Sequence, residues 1–460
     1  MKRVAGICVL AATLAACATG PDYSRPELDM PVAFRTQDTV QGEQSLADLG
    51  WWEMYRDQTL QRLLSTALEQ NRDVRIAAAR VAEARALAGV TELARLPQLD
   101  IAGSFDRGRV FQGSQFSTGN LSSLQAQAFF EVDLWRRLAS LNEAARAVVL
   151  ANDYARHSIA ISLIAEVATD YFALLSLDQQ FRITERAIAN RERFLLLTQR
   201  KFRQGASSGL DVSRAEASLA LARGNLPDLQ RQIARFENQL RILLGENPAA
   251  IVRERRDLQD FPIPLAVPTG LPSSLLERRP DLRQAEYNLA GATASVSAAR
   301  AALFPSISLT GTFGWESTEL SGLFSGPNRV WSFGLSLLQP LINAQRNGYQ
   351  VEATRGRQEQ AILQYQNAVA QAFREVADAL AARRSFREFL TAQEQQVNAL
   401  RQASQRVLRR YETGFSSYFE VIDAENSLFS AELQMVQAYG NSLVSLVQLY
   451  RALGGGWRGE

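Results

Sequence analysis

The chain has 460 residues, 46% of them hydrophobic and 21% charged, with 50 basic side chains against 48 acidic ones. That near balance excludes the basic face of a nucleic-acid binder and the one-sided charge of a disordered tail protein. One histidine (His157) and two cysteines (Cys8, Cys17) are too few for a zinc or iron–sulfur site, and length alone predicts about three domains at roughly 150 residues each.

Lys2 and Arg3 open the chain, and Val4 to Ala16 form a run of mostly small, apolar residues. The run is too short to span a bilayer and suits the core of a signal peptide, expected at 1–16. It ends in Leu14-Ala15-Ala16-Cys17, which resembles a lipobox: small residues admit a peptidase and the Cys17 thiol receives lipid. Ordinary signal cleavage near Ala16 is the plainer alternative. Ala18, where an Asp would hold a lipoprotein in the inner membrane, points to the outer membrane. Cleavage before Cys17 would leave 48 bases, 48 acids and one cysteine, which excludes a disulfide within the mature chain.

Beyond the N-terminus the chain reads as two copies of one unit, 56–245 and 273–454. Asn71-Arg72-Asp73-Val74-Arg75 aligns with Arg279-Pro280-Asp281-Leu282-Arg283, and Leu96-Pro97 with Phe304-Pro305, at one offset. Gly205 falls on Gly414, Asp211 on Glu420, Glu216 on Glu425, and Leu244-Gly245 on Leu453-Gly454 at an offset one residue longer. Residues 246–272, rich in proline, read as a linker, and 455–460 as a C-terminal tail.

Each copy alternates short strands with very long helices. Strands are expected at about 98–107 and 125–135, then at 306–316 and 330–338. In the second strand Ala126, Ala128, Phe130, Val132 and Leu134 alternate with Gln125, Gln127, Phe129, Glu131 and Asp133. Such alternation also fits a half-buried soluble sheet. A strand length of about ten residues, and Trp135, Trp315 and Trp331 near strand ends, favour a membrane sheet with an aromatic girdle. Residues 108–121 and 318–328, rich in Gly, Ser and Asn, read as external loops. Helices are expected over about 136–203 and 343–411, each about 100 Å long at roughly 1.5 Å per residue. In the latter, Ile362, Tyr365, Val369, Phe373, Val376 and Leu380 recur at spacings of three and four. Both helices end near a glycine, Gly205 and Gly414, and a second helix returns from each turn. A coiled-coil rod would show the helices without the strands.

Four strands cannot close a barrel in lipid, because every edge must be paired. Copies of the chain must therefore share one barrel, with 8 strands from two chains or 12 from three; roughly eight is the smallest bacterial barrel.

Several segments together resemble the outer membrane factor family, the TolC-like outer-membrane efflux proteins, in its OprM-type lipoprotein branch. They are Cys17 with Gly20-Pro21-Asp22-Tyr23, Leu276 to Glu286 around Arg278-Arg279-Pro280-Asp281, Leu303 to Leu309, Tyr411 to Leu428, and Leu453-Gly454-Gly455-Gly456-Trp457. The resemblance covers essentially all of the mature chain. It implies a mainly α fold with membrane β: a homotrimer sharing a 12-stranded β-barrel, four strands per chain, continued by a long periplasmic α-helical barrel. An equatorial belt would be built from the linker, the termini and the lipidated segment 17–55. It further implies a drug or toxic-compound efflux duct working with a periplasmic adaptor and an inner-membrane, proton-driven pump. One departure is Asp133-Leu134-Trp135-Arg136-Arg137, where relatives often carry Gly after the aromatic residue.

The resemblance also assigns the tip. Glu420 and Asp423 match acidic positions that ring the closed entrance, and Phe419 matches an apolar constriction. Asp211 holds the place of Glu420 in the first copy, and Arg214 that of Asp423. Acids near a helix N-terminus also stabilise its dipole, which is the plainer account of both. The turns containing Gly205, Ala206 and Ser207, and Gly414, Phe415 and Ser416, resemble the surface on which an adaptor docks. Simple turn chemistry explains the same residues. No catalytic residue, metal ligand or cofactor beyond the lipid on Cys17 is expected, and His157 reads as structural. The alternative function is a protein-secretion duct or a structural coiled-coil envelope protein.

Overall fold

The computed structural model describes residues 23–27, 48–55, 57–112, 115–261, 272–342 and 344–455. The expected lipidation site Cys17 and the signal peptide lie outside them. Helices α1 (Trp51–Met54), α2 (Gln58–Gln70) and α3 (Arg72–Leu93) lead to strands β1 (Gln98–Gln112) and β2 (Gln115–Val132), then to α4 (Arg137–Arg203) and α5 (Gly209–Leu243). Helices α6 (Leu275–Arg278) and α7 (Pro280–Ala301), strands β3 (Ser306–Ser317) and β4 (Arg329–Leu338), and helices α8 (Ala344–Glu412) and α9 (Tyr418–Ala452) follow.

The chain packs as two compact units, and these cut across the two segments expected as copies, 56–245 and 273–454. Among the described residues, one is built from those of 79–154 and 282–368 with 23–27, and the other from those of 155–281 and 369–455 with 48–78. Strand pairing is the reason: β2 of the first copy is bonded to β3 of the second.

The first unit holds one antiparallel sheet in the order β1-β2-β3-β4. Its register (Leu99 opposite Ala128, Phe130 opposite Leu309, Leu309 opposite Leu335, Phe313 opposite Trp331) puts the apolar residues of all four strands on one face. That face is bare in the single chain, with Ile101 78%, Trp331 75% and Phe333 73% exposed. Polar pairs occupy the other face, among them Ser104–Ser123 at 3.1 Å and Thr312–Ser332 at 2.7 Å. A Cβ on Gly314 would lie 2.2 Å from the Leu124 carbonyl oxygen, so only glycine lets β3 lie this close to β2.

The expected strand bounds need correction in the first copy. β1 runs five residues past 107, and β2 starts at Gln115 rather than 125 and stops at Val132 rather than 135. Residues 108–112 and 115–121 are therefore strand and not loop. Beyond Ser122, the last β2 residue paired with β3, β1 and β2 continue as a two-stranded ribbon held by backbone bonds. Such bonds do not depend on the side chains, so Gly108, Gly119 and Asn120 gave no strand signal. Residues 318–328 are a connection with two short 3-10 turns, Leu320–Gly322 and Gly326–Asn328.

The turn from β2 into α4 carries the departure noted above. Arg136 has φ 61°, a left-handed conformation that glycine adopts without cost. The Asp133 carboxylate accepts from the Leu138 and Ala139 amides at 2.9 and 2.7 Å and so caps α4. Beside it Trp135 stacks on Phe304 with centroids 4.8 Å apart and donates its indole N–H to the Pro305 carbonyl at 2.8 Å.

The second unit is helical, with a core of Leu60, Leu64, Val167, Tyr171, Leu174, Leu240, Val436 and Val447. Helix α4 has a stretch apolar enough to cross a membrane, but 61% of it is buried inside the protein, as in a core helix. The described part of the proline-rich segment joins this core through Ile251, Leu258 and Phe261. Arg253 ties it down, donating to both oxygens of Asp178 at 2.6 and 2.8 Å and to Glu237 at 2.6 Å. Arg256 reaches Asp57 at 2.8 Å, and Asp57 also caps α2 through the Leu60 amide at 2.7 Å.

The apolar stripe of α8 differs in detail from its expected course. Tyr365, Val369, Ala372, Val376 and Ala379 are buried, whereas Ile362 and Phe373 are only half-buried. Leu380 is buried as expected, and the seam otherwise follows a seven-residue repeat in which alanine serves as well as a larger residue.

Candidate functional site

Both turns joining the long helices lie in the second unit and are built alike. Gly205 and Gly414 have φ 76° and 87°, and open space surrounds the position of a Cβ at each. Backbone geometry, not close approach, demands glycine. The Ala206 amide returns to Lys201 at 2.8 Å and the Phe415 amide to Arg410 at 2.7 Å, closing the same helix C-cap twice. Ser208 and Ser417 then cap α5 and α9, their hydroxyls accepting from the amides of Asp211 and Glu420.

Those two acids complete the caps. The Asp211 carboxylate accepts from the Ser207 hydroxyl at 3.1 Å and the Ser208 hydroxyl at 2.8 Å. Glu420 accepts from the Ser416 hydroxyl at 2.7 Å and the Ser417 amide at 3.3 Å. Partial burial pushes Asp211 up, but the serine hydrogen bonds and the Arg214 charge outweigh it and hold the carboxyl below its ordinary range. Hydrogen bonds from Ser416 and Ser417 hold Glu420 below its own. Asp423, one turn further on, is exposed and makes no hydrogen bond or ion pair among the described residues. The three acids are thus not equivalent. Two are engaged in local capping, and Asp423 faces solvent in the single chain.

Phe419 is 56% exposed, and the Arg214 guanidinium of α5 sits 5.4 Å from its ring centroid. The first-copy arginine therefore meets the second-copy aromatic residue across the tip. Phe415 is 77% exposed, while Ser207 and Ser416 are half-buried by their bonds to the capping acids. Behind the turns a small core of Ala215, Tyr411, Tyr418 and Val421 ties the helices together. Burial pushes the Tyr418 hydroxyl up to about 12. Lys201 lies 3.8 Å from the Tyr411 ring centroid and donates to the Tyr411 carbonyl at 3.2 Å.

Sequence reasoning missed one residue of this assembly. Arg191 of α4 is 6% exposed and donates to the Ser218 carbonyl of α5 at 3.0 Å and to Asn426 of α9 at 2.8 Å. Its guanidinium also lies 5.0 Å from the Phe429 ring centroid. The signal was present: Thr184, Arg191 and Thr198 are buried at seven-residue spacing, which puts an arginine on the seam of α4.

A second pair of repeated joints closes the far ends of the return helices. Gly245 and Gly454 have φ 75° and 76°, and a Cβ on Gly245 would lie 2.5 Å from the Gln70 carbonyl oxygen. Arg279, 7% exposed, donates to both oxygens of Asp281 at 3.0 and 2.6 Å, to Glu375 at 2.8 Å and to the Ala452 carbonyl at 3.0 Å. The Arg-Pro-Asp motif is therefore a structural joint. Among the described residues no group of His, Cys, Asp or Glu side chains is arranged to hold a metal ion.

The chain matches the family model described as outer membrane efflux protein over residues 63–246 and 271–455. It is 34% identical over 454 residues to the cation efflux system protein CusC of Escherichia coli, covering 98% of each chain. It is 35% identical over 465 residues to a probable efflux pump outer membrane protein, TtgC, of Pseudomonas putida, covering 99% of this chain and 96% of that one. The solved structure of the outer-membrane channel OprN superposes with a TM-score of 0.90 at 31% identity, covering 96% of this chain and all of that one. The sheet with its bare apolar face, the paired long helices and these likenesses agree, and the chain belongs to the outer membrane efflux protein family.

Proposed function

We propose that three copies of this chain form an outer-membrane efflux duct. The observation that carries the reading is the sheet: four strands with a continuous apolar face, and with β1 and β4 each bonded on one side only among the described residues. In lipid those edges must pair, and with four strands per chain the partner is another copy. Three copies give the 12-stranded barrel of the expected family architecture, with the long helices forming the periplasmic tube. The repeated caps, C-cap glycines and equal lengths of α5 and α9 support an internal duplication as the origin of both halves.

The duct is passive, anchored by lipid on Cys17, and serves a tripartite system with a periplasmic adaptor and a proton-driven inner-membrane pump. Its cargo is a class of small toxic compounds. The tip is the gate: Asp423 faces the entrance, Phe419 narrows it, and the turns at Gly205 and Gly414 receive the adaptor. Native mass spectrometry of the detergent-solubilised protein tests the assembly. Three chains are expected, and a stable monomer would contradict the shared barrel.

A further inference from the structure

At the foot of the sheet, where β2 and β4 end and β3 and α4 begin, lies a pocket of about 360 Å³. Leu134, Trp135, Phe304, Pro305, Leu338 and Pro340 give it apolar walls. The polar groups around it are already engaged. Arg137 is paired with both oxygens of Glu131 at 3.0 and 2.7 Å, Asp133 caps α4, and the Trp135 N–H is bonded to Pro305. The lining thus offers hydrocarbon contact and leaves no uncompensated cation for a phosphate headgroup.

The N-terminal segment is fastened to the same unit. Arg25 donates to both oxygens of Glu286 on α7 at 2.8 and 2.9 Å, and the Tyr23 hydroxyl joins them at 3.2 Å. From Glu286 to Ala301, a pocket residue at the end of α7, the helix rises roughly 22 Å at about 1.5 Å per residue. Between Tyr23 and Cys17 the chain can span about 20 Å at roughly 3.4 Å per residue. A fatty acyl group on Cys17 covers the remaining distance.

We propose that this pocket holds a fatty acyl chain carried on Cys17. The assignment rests on the lipobox reading of Leu14 to Cys17. A diacylglyceryl thioether has no phosphate, which matches a pocket whose only lining arginine is already paired. Seated there, the lipid would pin the N-terminal segment at the junction of sheet and helices. The anchor would then be part of the fold of the junction and not merely a tether to the bilayer.

Photocrosslinking of the full-length protein tests this. Cells are fed an alkynyl palmitate bearing a diazirine and irradiated, and the purified protein is digested and its cross-linked peptides sequenced. The expected product joins the Cys17 peptide, through its acyl chain, to a peptide containing Trp135 or Phe304. Ala302→Trp, which fills the pocket, should abolish that product while Cys17 stays labelled. Label on Cys17 with cross-links only to other segments or to phospholipid overturns the pocket assignment. Equal cross-linking of the pocket to labelled phospholipid in a Cys17→Ser protein overturns the tethered occupant. Absence of lipid mass on Cys17 overturns the lipobox reading itself, and the assignment falls with it.

Discussion

Arg279 and Asn71, which the sequence aligns at an offset of 208, perform one task with different chemistry. Asn71 donates to the Leu243 carbonyl at the end of α5 at 2.9 Å, and Arg279 donates to the Ala452 carbonyl at the end of α9 at 3.0 Å. Each joins the start of a repeat to its last helical carbonyl. Asn71 also caps α3 with its own carbonyl oxygen, accepting from the Asp73 amide at 2.8 Å. Arg279 cannot accept, and Pro280 follows it with no amide to satisfy, so the guanidinium instead gathers Asp281 and Glu375.

Removal of the Arg279 side chain should therefore cost more than its hydrogen bond to Ala452. Arg279→Ala leaves the Glu375 and Asp281 carboxylates, each about a third exposed, without their cation, and losing these charge-assisted hydrogen bonds costs about 1–3 kcal/mol. Arg279→Asn should recover only the small part due to the carbonyl. Thermal unfolding in detergent, followed by circular dichroism, should rank wild type above Arg279→Asn and that above Arg279→Ala.

Arg136 supplies a test in the opposite direction. A left-handed non-glycine residue costs roughly 1–2 kcal/mol, part of which glycine returns through its freer unfolded chain. Arg136→Gly should stabilise the protein by about 0.5–1 kcal/mol, and Arg136→Val should destabilise it, because a branched Cβ tolerates this conformation least. Equal unfolding midpoints for the glycine and valine variants would show that φ is not the determinant.

The tip acids should separate into two kinds. Ser208→Ala and Ser417→Ala each remove an N-cap, at about 1 kcal/mol. Asp211 and Glu420 have folded pKa values below their unfolded ones, so their contribution is present above the unfolded carboxyl range. It is lost as pH falls through the folded values. Protection from hydrogen exchange at the start of α5 and α9, taken relative to the intrinsic amide rate at each pH, should therefore fall below about pH 4. Asp423→Ala should leave that exchange unchanged while raising single-channel conductance and weakening cation preference. Glu420→Ala should raise conductance with a loosened cap. Unchanged conductance in both variants would remove these residues from the gate.

Much of this architecture was legible in the sequence, and particular residues show where legibility stopped. The alternation from Ala126 to Val132 names the apolar face because a strand puts alternate residues on opposite sides. The pairs Gly205/Gly414 and Gly245/Gly454 mark helix ends because only glycine takes their φ without strain. The β1–β2 ribbon was not legible, since Gly119 and Asn120 pair through backbone alone. Arg191 was hidden for another reason. In a chain whose positive charge is nearly all arginine, one buried guanidinium looks like many solvated ones until its seven-residue spacing from Thr184 and Thr198 is counted. Arg191→Ala should leave the Ser218 and Asn426 groups short of a partner, cost about 1–3 kcal/mol and loosen the packing of α5 and α9 on α4. A rise in conductance with Asp423 intact would connect that looseness to opening.

Asp170 gives the protein a pH dependence of opposite sign to that of the tip. It lies on α4 among core residues at 5% exposure, and one carboxylate oxygen is buried without a hydrogen-bond partner. Burial first, then the nearby Glu166 charge, push its pKa up to about 7, with Arg235 opposing. Between the ordinary value of 3.8 and about 7 the folded protein holds a proton that the unfolded chain has released. Stability therefore falls as pH rises across that window and levels off above it. The full span corresponds to a penalty on the order of 4 kcal/mol, an upper bound because water and side-chain relaxation reduce it. Asp170→Asn keeps the shape and removes the charge, so its advantage over wild type should be small near pH 4 and grow up to about pH 7. A variant whose advantage does not change with pH would show that Asp170 does not carry this dependence.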